Sequence, residues 1–244
     1  MSHTEEFREI SGFDLMLMEF PEHQYCIQDI LPKGLNVLFT ENIDSARSLA
    51  MELILQVVTG HRLWDMEVKQ GAVMHMIQKD ALVLTRNRIV AMTNRVPDDL
   101  YIGVMTESSL ELSQKAIPEF VNKHPNTSLV VIELETPVAS VSQKLFAPGE
   151  LLPHYNCLKE LAEKNGIAIL VVQREVRSTF SLNDYTTDGP VCISDSVVCH
   201  FELDIAGYPG NKALLKRFSR SYGNARWEIE YSLKSHRWTE ERRN

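Results

Sequence analysis

Short apolar runs alternate with helix-like segments along the first 172 residues of the chain. Each run is five or six residues long and almost free of polar side chains, as expected of strands covered on both faces of a parallel sheet. Alternation of such strands with helices is typical of α/β folds. The runs occupy residues 35–39, 72–77, 100–104, 129–134 and 167–172. The pattern predicts an α/β fold with a mainly parallel central sheet flanked by helices.

Three segments between these runs have the periodicity of helices. Residues 48–59 are apolar almost all round, which predicts a buried helix that ends at Gly60. Residues 109–122 and 155–165 are amphipathic, and the second of these segments ends at Gly166. We therefore expect one helix to be enclosed by the core and two to cover the sheet with one apolar face each.

The pattern changes after residue 172. A polar stretch at 173–190 precedes three closely spaced apolar runs, and turn residues such as Gly223 and Asn224 separate the later ones. Runs at this spacing predict antiparallel strands that extend the sheet at its C-terminal end. These runs lie at residues 197–203, 213–218 and 227–231.

Length and composition fit a single domain. The chain has 244 residues, of which 44% are hydrophobic, enough to bury one sizeable core. We predict one domain over residues 1–244, with a lead-in at 1–33, a parallel core at 34–172, and a polar loop with a β extension at 173–244. The net charge of −8 argues against a surface dominated by nucleic-acid contacts, which need clustered Lys and Arg, but it leaves local basic patches open.

Cysteine and histidine positions give no metal site. The four cysteines lack paired CxxC spacing, which favours reduced, mostly buried thiols over a zinc or disulfide framework. His75, Cys199 and His200 lie inside apolar runs and are expected to be core residues. The N-terminal residues lack the apolar centre of a signal peptide, and no apolar stretch approaches the roughly 20 residues of a membrane span. We expect a soluble cytoplasmic protein without a membrane partner.

A polar loop of informative length follows the first strand. Residues 41–48 connect that strand to the buried helix, where nucleotide-binding α/β folds hold phosphates with backbone N–H groups. The loop has the length of G-x-x-x-x-G-K-[ST], but only Ser48 fits that motif. An ordinary connecting loop and a degenerate phosphate loop are both open at this point.

A series of short motifs runs in a fixed order through almost the whole chain. LPKGL at 31–35 leads into the first strand, and TGH at 59–61 with VKQG at 68–71 leads to the second. NKHP at 122–125 precedes the run LVVI, and LKELA at 158–162 precedes GIAILVV. In this order the motifs resemble RecA-fold ATPases of the RepA-type replicative helicase family. The resemblance implies a RecA-like P-loop NTPase fold, and function has to be argued from the individual residues.

The resemblance places several replacements in the phosphate-binding loop. The two glycines of the family's loop correspond to Glu41 and Ala46, and the phosphate-binding lysine corresponds to Arg47, whereas Ser48 is retained. Glu41 puts a carboxylate where the backbone must approach phosphate, and the Cβ of Ala46 restricts the backbone. We also predict an ion pair or hydrogen bond between Glu41 and Arg47 across the vacated phosphate site.

The catalytic positions implied by the resemblance are replaced as well. Lys79 stands where the family has the acid that orients the attacking water, with Asp80 beside it. Glu133 stands for the Walker B aspartate, and Gln173 and Arg174 stand for paired histidines. Gln173 retains the capacity to sense a phosphate by hydrogen bonding. No catalytic residue is therefore predicted, and the residual nucleotide site consists of Arg47, Ser48, Glu133 and Gln173.

Two loops correspond to those that contact single-stranded DNA in RecA-type helicases. Arg174 and Arg177 lie in one of these loops and Lys144 lies in the other. Phe180 and Tyr185 offer stacking surfaces for bases, provided that they are exposed in a basic groove. A solvated surface loop is the equal alternative, so DNA binding through Arg174 and Arg177 is one of two hypotheses.

Arg220 lies where the family carries a basic strand motif. The resemblance implies an arginine finger that acts on the nucleotide of a neighbouring subunit. The alternative is a solvated charge on a strand. Such a finger needs assembly, and the expected partners are further copies of the chain or a related ATPase subunit.

The replacements favour a catalytically degenerate RecA-like pseudo-ATPase. On the resemblance, it acts as a binding or assembly partner in DNA replication or its regulation and is of mobile-element origin. No cofactor is expected. Two alternatives stay open: a divergent RepA-type ATPase or helicase that binds ATP and Mg²⁺ weakly through Arg47, Ser48 and Glu133, and a non-hydrolysing binder of single-stranded DNA.

Overall fold

The computed structural model describes residues 9–18, 24–95, 97–106, 110–134, 148–174, 196–205 and 211–241. Within these ranges the chain forms five α-helices and eleven strands. The helices are α1 (Gly12–Leu17), α2 (Ile43–Thr59), α3 (Leu82–Met92), α4 (Leu110–Lys123) and α5 (Pro148–Asn165). The strands are β1 (Tyr25–Ile27), β2 (Leu31–Pro32), β3 (Gly34–Thr40), β4 (Ala72–Gln78), β5 (Leu100–Met105), β6 (Thr127–Leu134), β7 (Ala168–Arg174), β8 (Cys199–Ile205), β9 (Lys212–Phe218), β10 (Ala225–Ser232) and β11 (Arg237–Glu240).

Nine of the strands form one sheet in the order β11-β10-β9-β8-β3-β7-β6-β4-β5, and β1 pairs with β2 in a separate hairpin. The strands from β8 to β5 in this order are parallel, whereas β9, β10 and β11 are antiparallel to their neighbours. The prediction of a mainly parallel sheet with antiparallel strands at the C-terminal end is confirmed. One detail was wrong: the run at 197–203 forms β8, which pairs parallel with β3, so the antiparallel part begins at β9.

Both faces of the parallel sheet are covered, which explains why its strands are apolar on both sides. One face packs against α2 through buried residues such as Leu38, Val131 and Val172. The opposite face packs against α4 and α5 through residues such as Val37 and Ile132. Successive residues of one strand therefore serve different layers, and the position of a polar residue along its strand decides which layer it enters.

Helix α2 begins five residues earlier than its sequence pattern predicts. It starts at Ile43, so residues 43–47 form its first turn and not a loop. The side chain of Asn42 caps the helix by accepting a hydrogen bond from the backbone N–H of Ser45. The expected end at Gly60 is confirmed, since Gly60 has a φ of +69° and closes the helix in the left-handed conformation.

Two of the other helices match predicted segments, and two further elements were not predicted. The segment at 155–165 is the C-terminal part of the longer α5, and the segment at 109–122 corresponds to α4 within one residue at each end. Helix α3 and strand β11 were not predicted. None of the described helices combines the length and apolarity needed to cross a bilayer. Of the cysteines, Cys26, Cys157 and Cys199 are free thiols.

Candidate functional site

The candidate site lies at the carboxyl edge of the parallel sheet, where α2 begins. Ligands of open α/β sheets bind at this edge, because the connections that follow the strands meet there. β3 ends at Thr40 and leads through Glu41 and Asn42 into α2, while β6 ends at Leu134. The first turn of α2 and the last residues of β6 therefore meet at the edge where a phosphate loop is expected.

Glu133 is the centre of the site. It is the penultimate residue of β6 and only 2% exposed, and it lies on the sheet face that packs against α2. Its Oε1 is 2.8 Å from Nε2 of His75, and its Oε2 accepts a hydrogen bond from Nε of Arg47 at 2.9 Å. His75 is paired in register with Val131, two residues before Glu133, which places both side chains on the same face.

Arg47 connects this buried carboxylate to the protein surface. Its side chain is buried, and its Nη1 lies 3.7 Å from Oδ1 of Asp44, one turn earlier in α2. Nη2 of Arg88 in α3 lies 3.6 Å from the same oxygen, and Asp44 is 73% exposed on its side chain. Ionic contacts therefore link Arg88 to Asp44, Asp44 to Arg47, and Arg47 to the buried Glu133.

Electrostatics keep Glu133 ionised in spite of its burial. Burial opposes the charged form, but the hydrogen bond from His75 and the charges of His75, Arg47 and Arg88 outweigh it and lower the pKa of Glu133 below its ordinary value. A buried carboxylate that stays charged needs such partners, and here all of them come from the chain itself.

Two polar atoms beside this cluster have no hydrogen-bond partner among the described residues. They are Oγ of Ser48 on α2 and Nδ1 of His75 on β4, and both residues are buried. Buried polar atoms are usually paired, so each of these marks a place where the packing leaves hydrogen-bonding capacity unused. Thr85 of α3 has a third such atom, its Oγ1.

The N-terminus of α2 is occupied by the chain's own groups. In phosphate-binding folds the first N–H groups of this helix point at the ligand. Here Asn42 accepts from the N–H of Ser45, and Asp44 provides an acidic side chain in the first turn. Both features satisfy or neutralise the positive end of the helix dipole without a ligand.

The structure brings together part of the predicted nucleotide site. Arg47 and Glu133 bind each other directly, and Ser48 follows Arg47 in α2. Gln173 is separate, because it lies on the sheet face that packs against α5, where its Oε1 accepts a hydrogen bond from Tyr155 at 2.6 Å. The pairing of Glu41 with Arg47 stays a prediction, while Glu133 is a partner of Arg47 that the sequence did not indicate.

The predicted DNA-contacting and assembly residues lie at opposite edges of the sheet. Arg174 is exposed at the last position of β7. Arg220 is exposed in the turn from β9 to β10, and the preceding Ser219 donates a hydrogen bond to the carbonyl oxygen of Val198, before the start of β8. Arg220 thus belongs to the amino edge of the sheet, opposite Glu133. Other predicted residues lie outside the described ranges: Lys144, Arg177, Phe180 and Tyr185.

His75, Asp44 and Arg88 are the site residues that the sequence analysis missed. His75 was expected to be an ordinary core residue, yet its Nε2 contacts the central carboxylate. Lys79 and Asp80, which were compared with the family's catalytic acid, form a 3₁₀ turn before α3. Among the described residues no group of three or more His, Cys, Asp or Glu side chains is arranged to hold a metal ion.

Most of the chain is similar in fold to known structures. A KaiC-like protein, PH0186 from the archaeon Pyrococcus horikoshii OT3, matches with a TM-score of 0.59 and 10% identity, covering 96% of each chain. A second solved structure, that of an ATPase domain, matches with a TM-score of 0.58 and 10% identity, covering 86% of this chain and 85% of that one. No family model and no curated protein matches the sequence. The chain therefore has a RecA-like P-loop NTPase fold, as its motifs implied.

Proposed function

We propose that the chain is a RecA-fold subunit that does not hydrolyse ATP and acts through binding and assembly. The observation that carries this proposal is the buried ion pair between Arg47 and Glu133. On the resemblance, these two residues occupy the positions of the phosphate-binding lysine and the Walker B acid, which hold a magnesium nucleotide between them. In this chain Arg47 and Glu133 form an ion pair with each other instead.

Breaking this pair opposes nucleotide binding. A phosphate group can use Arg47 only if the guanidinium leaves Glu133, which is 2% exposed and then loses its cationic partner. Separating a buried ion pair costs about 3–5 kcal/mol, which corresponds to a loss of affinity of roughly two to three and a half orders of magnitude. Such a loss moves a dissociation constant of about 1 μM to between about 0.1 and 3 mM.

Local charge adds to this cost. The phosphates of ATP are anionic, and they would meet the carboxylate of Asp44 at the N-terminus of α2. Magnesium would require Glu133, whose two oxygens already accept hydrogen bonds from Arg47 and His75. The residues present therefore do not fit a bound magnesium nucleotide as they stand, and we derive no catalytic step from them.

The biological setting follows from the resemblance to RepA-type replicative helicases. We place the chain in DNA replication or its regulation, with an origin in a mobile element and a location in the cytoplasm. Its partners are further copies of itself or a related ATPase subunit. If it assembles beside an active subunit, Arg220 can serve that subunit's nucleotide although its own site is closed.

The experiment that tests the proposal is phosphate release from Mg-ATP by purified protein. We expect no turnover above a no-protein blank, with or without single-stranded DNA. The Ser48→Ala variant is the matched control, because it removes only the hydroxyl retained from the family motif. Turnover by the unaltered chain that Ser48→Ala abolishes would establish the divergent ATPase instead.

The divergent ATPase is the second candidate, and one observation favours it. Oγ of Ser48, the residue after Arg47 in α2, is buried without a hydrogen-bond partner among the described residues. In the family motif this hydroxyl binds Mg²⁺, so its unused hydrogen-bonding capacity is suited to weak binding of a hydrated cation.

Binding of single-stranded DNA is the third candidate. Arg174 is exposed at the end of β7, at the same sheet edge as the candidate site. Fluorescence anisotropy with a labelled oligonucleotide at several salt concentrations measures this binding. Affinity that falls with salt, and is lost in the Arg174→Ala/Arg177→Ala variant, would support it. The same affinity in both proteins would exclude these two arginines.

A further inference from the structure

Two lysines beside the β1–β2 hairpin have no acidic partner in the described part of the chain. Lys33 is half-buried between β2 and β3, and Lys69 is exposed in the segment between α2 and β4. None of the ion pairs of the described residues includes either lysine. By contrast, Lys216 of β9 binds Asp204 at 2.6 Å. Lys33 and Lys69 therefore carry positive charge that no described carboxylate compensates.

The backbone pairing of β1 places both lysines on the same face of the hairpin. The N–H of Lys33 donates to the carbonyl oxygen of Gln24 on one side of β1, and the N–H of Lys69 donates to that of Cys26 on the other side. Gln24 and Cys26 are two residues apart in an extended segment, so they share a face with the residues opposite them. The side chains of Lys33 and Lys69 can therefore meet across β1.

Electrostatics show that the two ammonium groups approach each other. Partial burial and the positive charge of Lys69 lower the pKa of Lys33 below its ordinary value. Burial raises the pKa of the Cys26 thiol to about 12, while the charges of Lys69 and Lys33 act on that thiol in the opposite direction. Both ammonium groups thus lie near Cys26. Like charges at short distance repel each other, and an anion bound between them removes this repulsion.

Lys33 is held in place by its surroundings. Its Nζ donates a hydrogen bond to Oε1 of Gln24 at 2.8 Å. The same Nζ lies 3.8 Å from the point that a Cβ at Gly166 would occupy, next to the C-terminal end of α5, whose carbonyl groups attract a cation. An ammonium group has three N–H donors, and the bond to Gln24 uses one of them. Lys33 is therefore positioned near Lys69 and has donors left for a ligand.

Two adjacent ammonium groups fit a small anion that carries two negative charges. A phosphate monoester has a charge of about −1.5 to −2 at neutral pH and three strong acceptor oxygens. One such group can accept hydrogen bonds from both lysines and balance both charges, whereas a carboxylate or a chloride ion brings only one negative charge. Lysine is a common phosphate ligand in proteins. The chemistry of the pair therefore favours phosphate.

This pair of lysines lies far from the candidate nucleotide site. Lys33 directly precedes Gly34, the first residue of β3, and thus belongs to the amino edge of the sheet. Arg47 and Glu133 lie at the carboxyl edge. The seven residues of β3 separate the two edges by about 20 Å. A ligand at the lysine pair is therefore independent of the Arg47–Glu133 pair.

We propose that Lys33 and Lys69 form a binding site for a phosphate group at the amino edge of the sheet. Both ammonium groups donate hydrogen bonds to its oxygens, and its charge takes the place of the missing carboxylate. The proposal goes beyond the function proposed above and holds whether or not the chain binds a nucleotide at the carboxyl edge. Because Lys69 is exposed to solvent, free phosphate binds with a dissociation constant of the order of 10 mM. Millimolar nucleotide therefore leaves the site almost empty.

A titration with inorganic phosphate, followed by NMR of isotope-labelled lysine side chains, tests the site. Sodium chloride at the same ionic strength is the reference. We expect the resonances of Lys33 and Lys69 to shift together and to saturate with one dissociation constant. Lys69→Gln weakens the effect on Lys33 at least about tenfold, because one charged donor is lost. Lys69→Arg keeps the charge and retains binding in part.

Lys234→Gln is the matched control. It removes an exposed lysine from the turn between β10 and β11 and leaves the phosphate titration unchanged. Three outcomes would overturn the proposal: a phosphate titration that does not differ from the chloride reference, the same phosphate affinity in Lys69→Gln as in the unaltered chain, or an equal loss of affinity in Lys234→Gln.

The protein without phosphate gives a second readout. Lys69→Gln removes the repulsion between the two ammonium groups, so the pKa of Lys33 rises toward its ordinary value of 10.5. The pH dependence of the Lys33 resonance measures this change. An unchanged pKa of Lys33 in this variant would show that the two groups do not approach each other, and the site would then lack its basis.

Oligonucleotides distinguish the possible sources of the phosphate group. Short single strands with and without a terminal phosphate are added to the same labelled protein. Shifts of both lysines with the phosphorylated strand alone assign the site to a phosphate monoester at a nucleic-acid end, and equal shifts with both strands assign it to the backbone. Shifts with inorganic phosphate alone assign it to a small phosphate compound. Turnover of Mg-ATP by the same samples would contradict the proposed function and leave this site unaffected.

Discussion

Helix α2 takes part in two buried ion pairs that look alike and differ in how completely they are satisfied. Near its N-terminus, Arg47 of the helix binds Glu133 of β6. In its middle, Glu52 of the helix binds Arg237 of β11. Both carboxylates are 2% exposed, and both arginines bind through Nε. The two pairs thus place the same chemistry at different positions of one helix.

The carboxylate of Glu52 uses both oxygens fully. Arg237 donates to both of them at 2.6 Å, Gln56 donates to Oε1 at 2.9 Å, and the backbone N–H of Trp238 donates to Oε2 at 3.3 Å. Glu133, in contrast, has one described bond to each oxygen, from His75 and from Arg47. A buried nitrogen without a described partner lies near each pair: Nδ1 of His75 beside Glu133, and Nε1 of Trp238, whose backbone N–H binds Glu52. The first pair ties β11 to α2, and the second joins α2 to β6 at the carboxyl edge of the sheet.

The largest effect is expected from Arg237→Leu. It leaves Glu52 buried with no cationic partner and releases β11, so the free energy of unfolding falls by about 3–5 kcal/mol. Urea denaturation followed by circular dichroism measures the change. Arg226→Leu on the exposed side of β10 is the matched control and costs less than about 0.5 kcal/mol. Equal losses in both variants would show that the Glu52–Arg237 pair stabilises the fold no more than the exposed Arg226 does.

Arg47→Leu is expected to cost about 3 kcal/mol in the same measurement, at the lower end of the range for a broken buried pair. The loss lies below that of Arg237→Leu because Arg237 donates two hydrogen bonds to Glu52, whereas Arg47 binds Glu133 through Nε. A double-mutant cycle with Glu133→Gln isolates the pair from other contacts of Arg47. A coupling energy near zero would mean that Arg47 and Glu133 do not hold each other in solution.

Acid should weaken the Glu133 pair through protonation. The pKa of Glu133 is lowered on folding, so the stabilisation is complete above its ordinary value of 4.5 and is lost as the pH falls through the lower folded-state pKa. We expect Glu133→Gln to reduce the loss of stability between pH 5 and the acid limit of folding. An unchanged acid profile in this variant would show that Glu133 is not held ionised by its partners.

The titration of His200 has to be eliminated before the effect of Glu133 can be measured. Burial lowers its pKa from 6.5 to about 4, so its contribution is lost as the pH falls from 6.5 to 4, a partly overlapping range. His200→Phe keeps an aromatic ring between Phe39 and Phe218 and abolishes this titration. Both versions of Glu133 are therefore compared in the His200→Phe background.

The smallest effect is expected from Ser48→Ala. The hydroxyl has no described partner, so its removal leaves no other group unpaired and changes the free energy of unfolding by less than about 0.5 kcal/mol. Denaturation of the two proteins side by side measures it. If the free energy of unfolding falls by about 1 kcal/mol or more, the Ser48 hydroxyl makes a stabilising hydrogen bond within the fold. It is then not free to bind a ligand.

The architecture could be predicted because apolar runs mark the parallel strands in the sequence. All five core runs lie within strands or overlap them closely. Four of these strands are buried on both faces, which requires apolar residues at almost every position, and the fifth, β5, is a partly buried edge strand. Helix α3 was missed for the opposite reason: Val83, Leu84 and Val90 are exposed, so its apolar residues do not follow the amphipathic period of a helix that faces the core.

The site could be predicted only in part, because register is not readable from one sequence. Glu133 and Arg47 were found through their places in family motifs, whereas the approach of His75 to Glu133 depends on how β4 pairs with β6. Gln173 could not be assigned to a face of the sheet without the pairing of β7. The early start of α2 did have a signal: Asn42 followed by Asp44 is a common helix opening.

The most direct test of the central claim is thermal unfolding of the unaltered chain with and without millimolar Mg-ATP, with ADP as the control. A ligand that binds only the folded state at one hundred times its dissociation constant stabilises by about 2.7 kcal/mol, which raises the Tm of a chain of this length by roughly 5–10 °C. We predict no shift with either nucleotide, because Arg47 and Glu133 bind each other. A magnesium-dependent rise with ATP that Ser48→Ala abolishes would contradict the account.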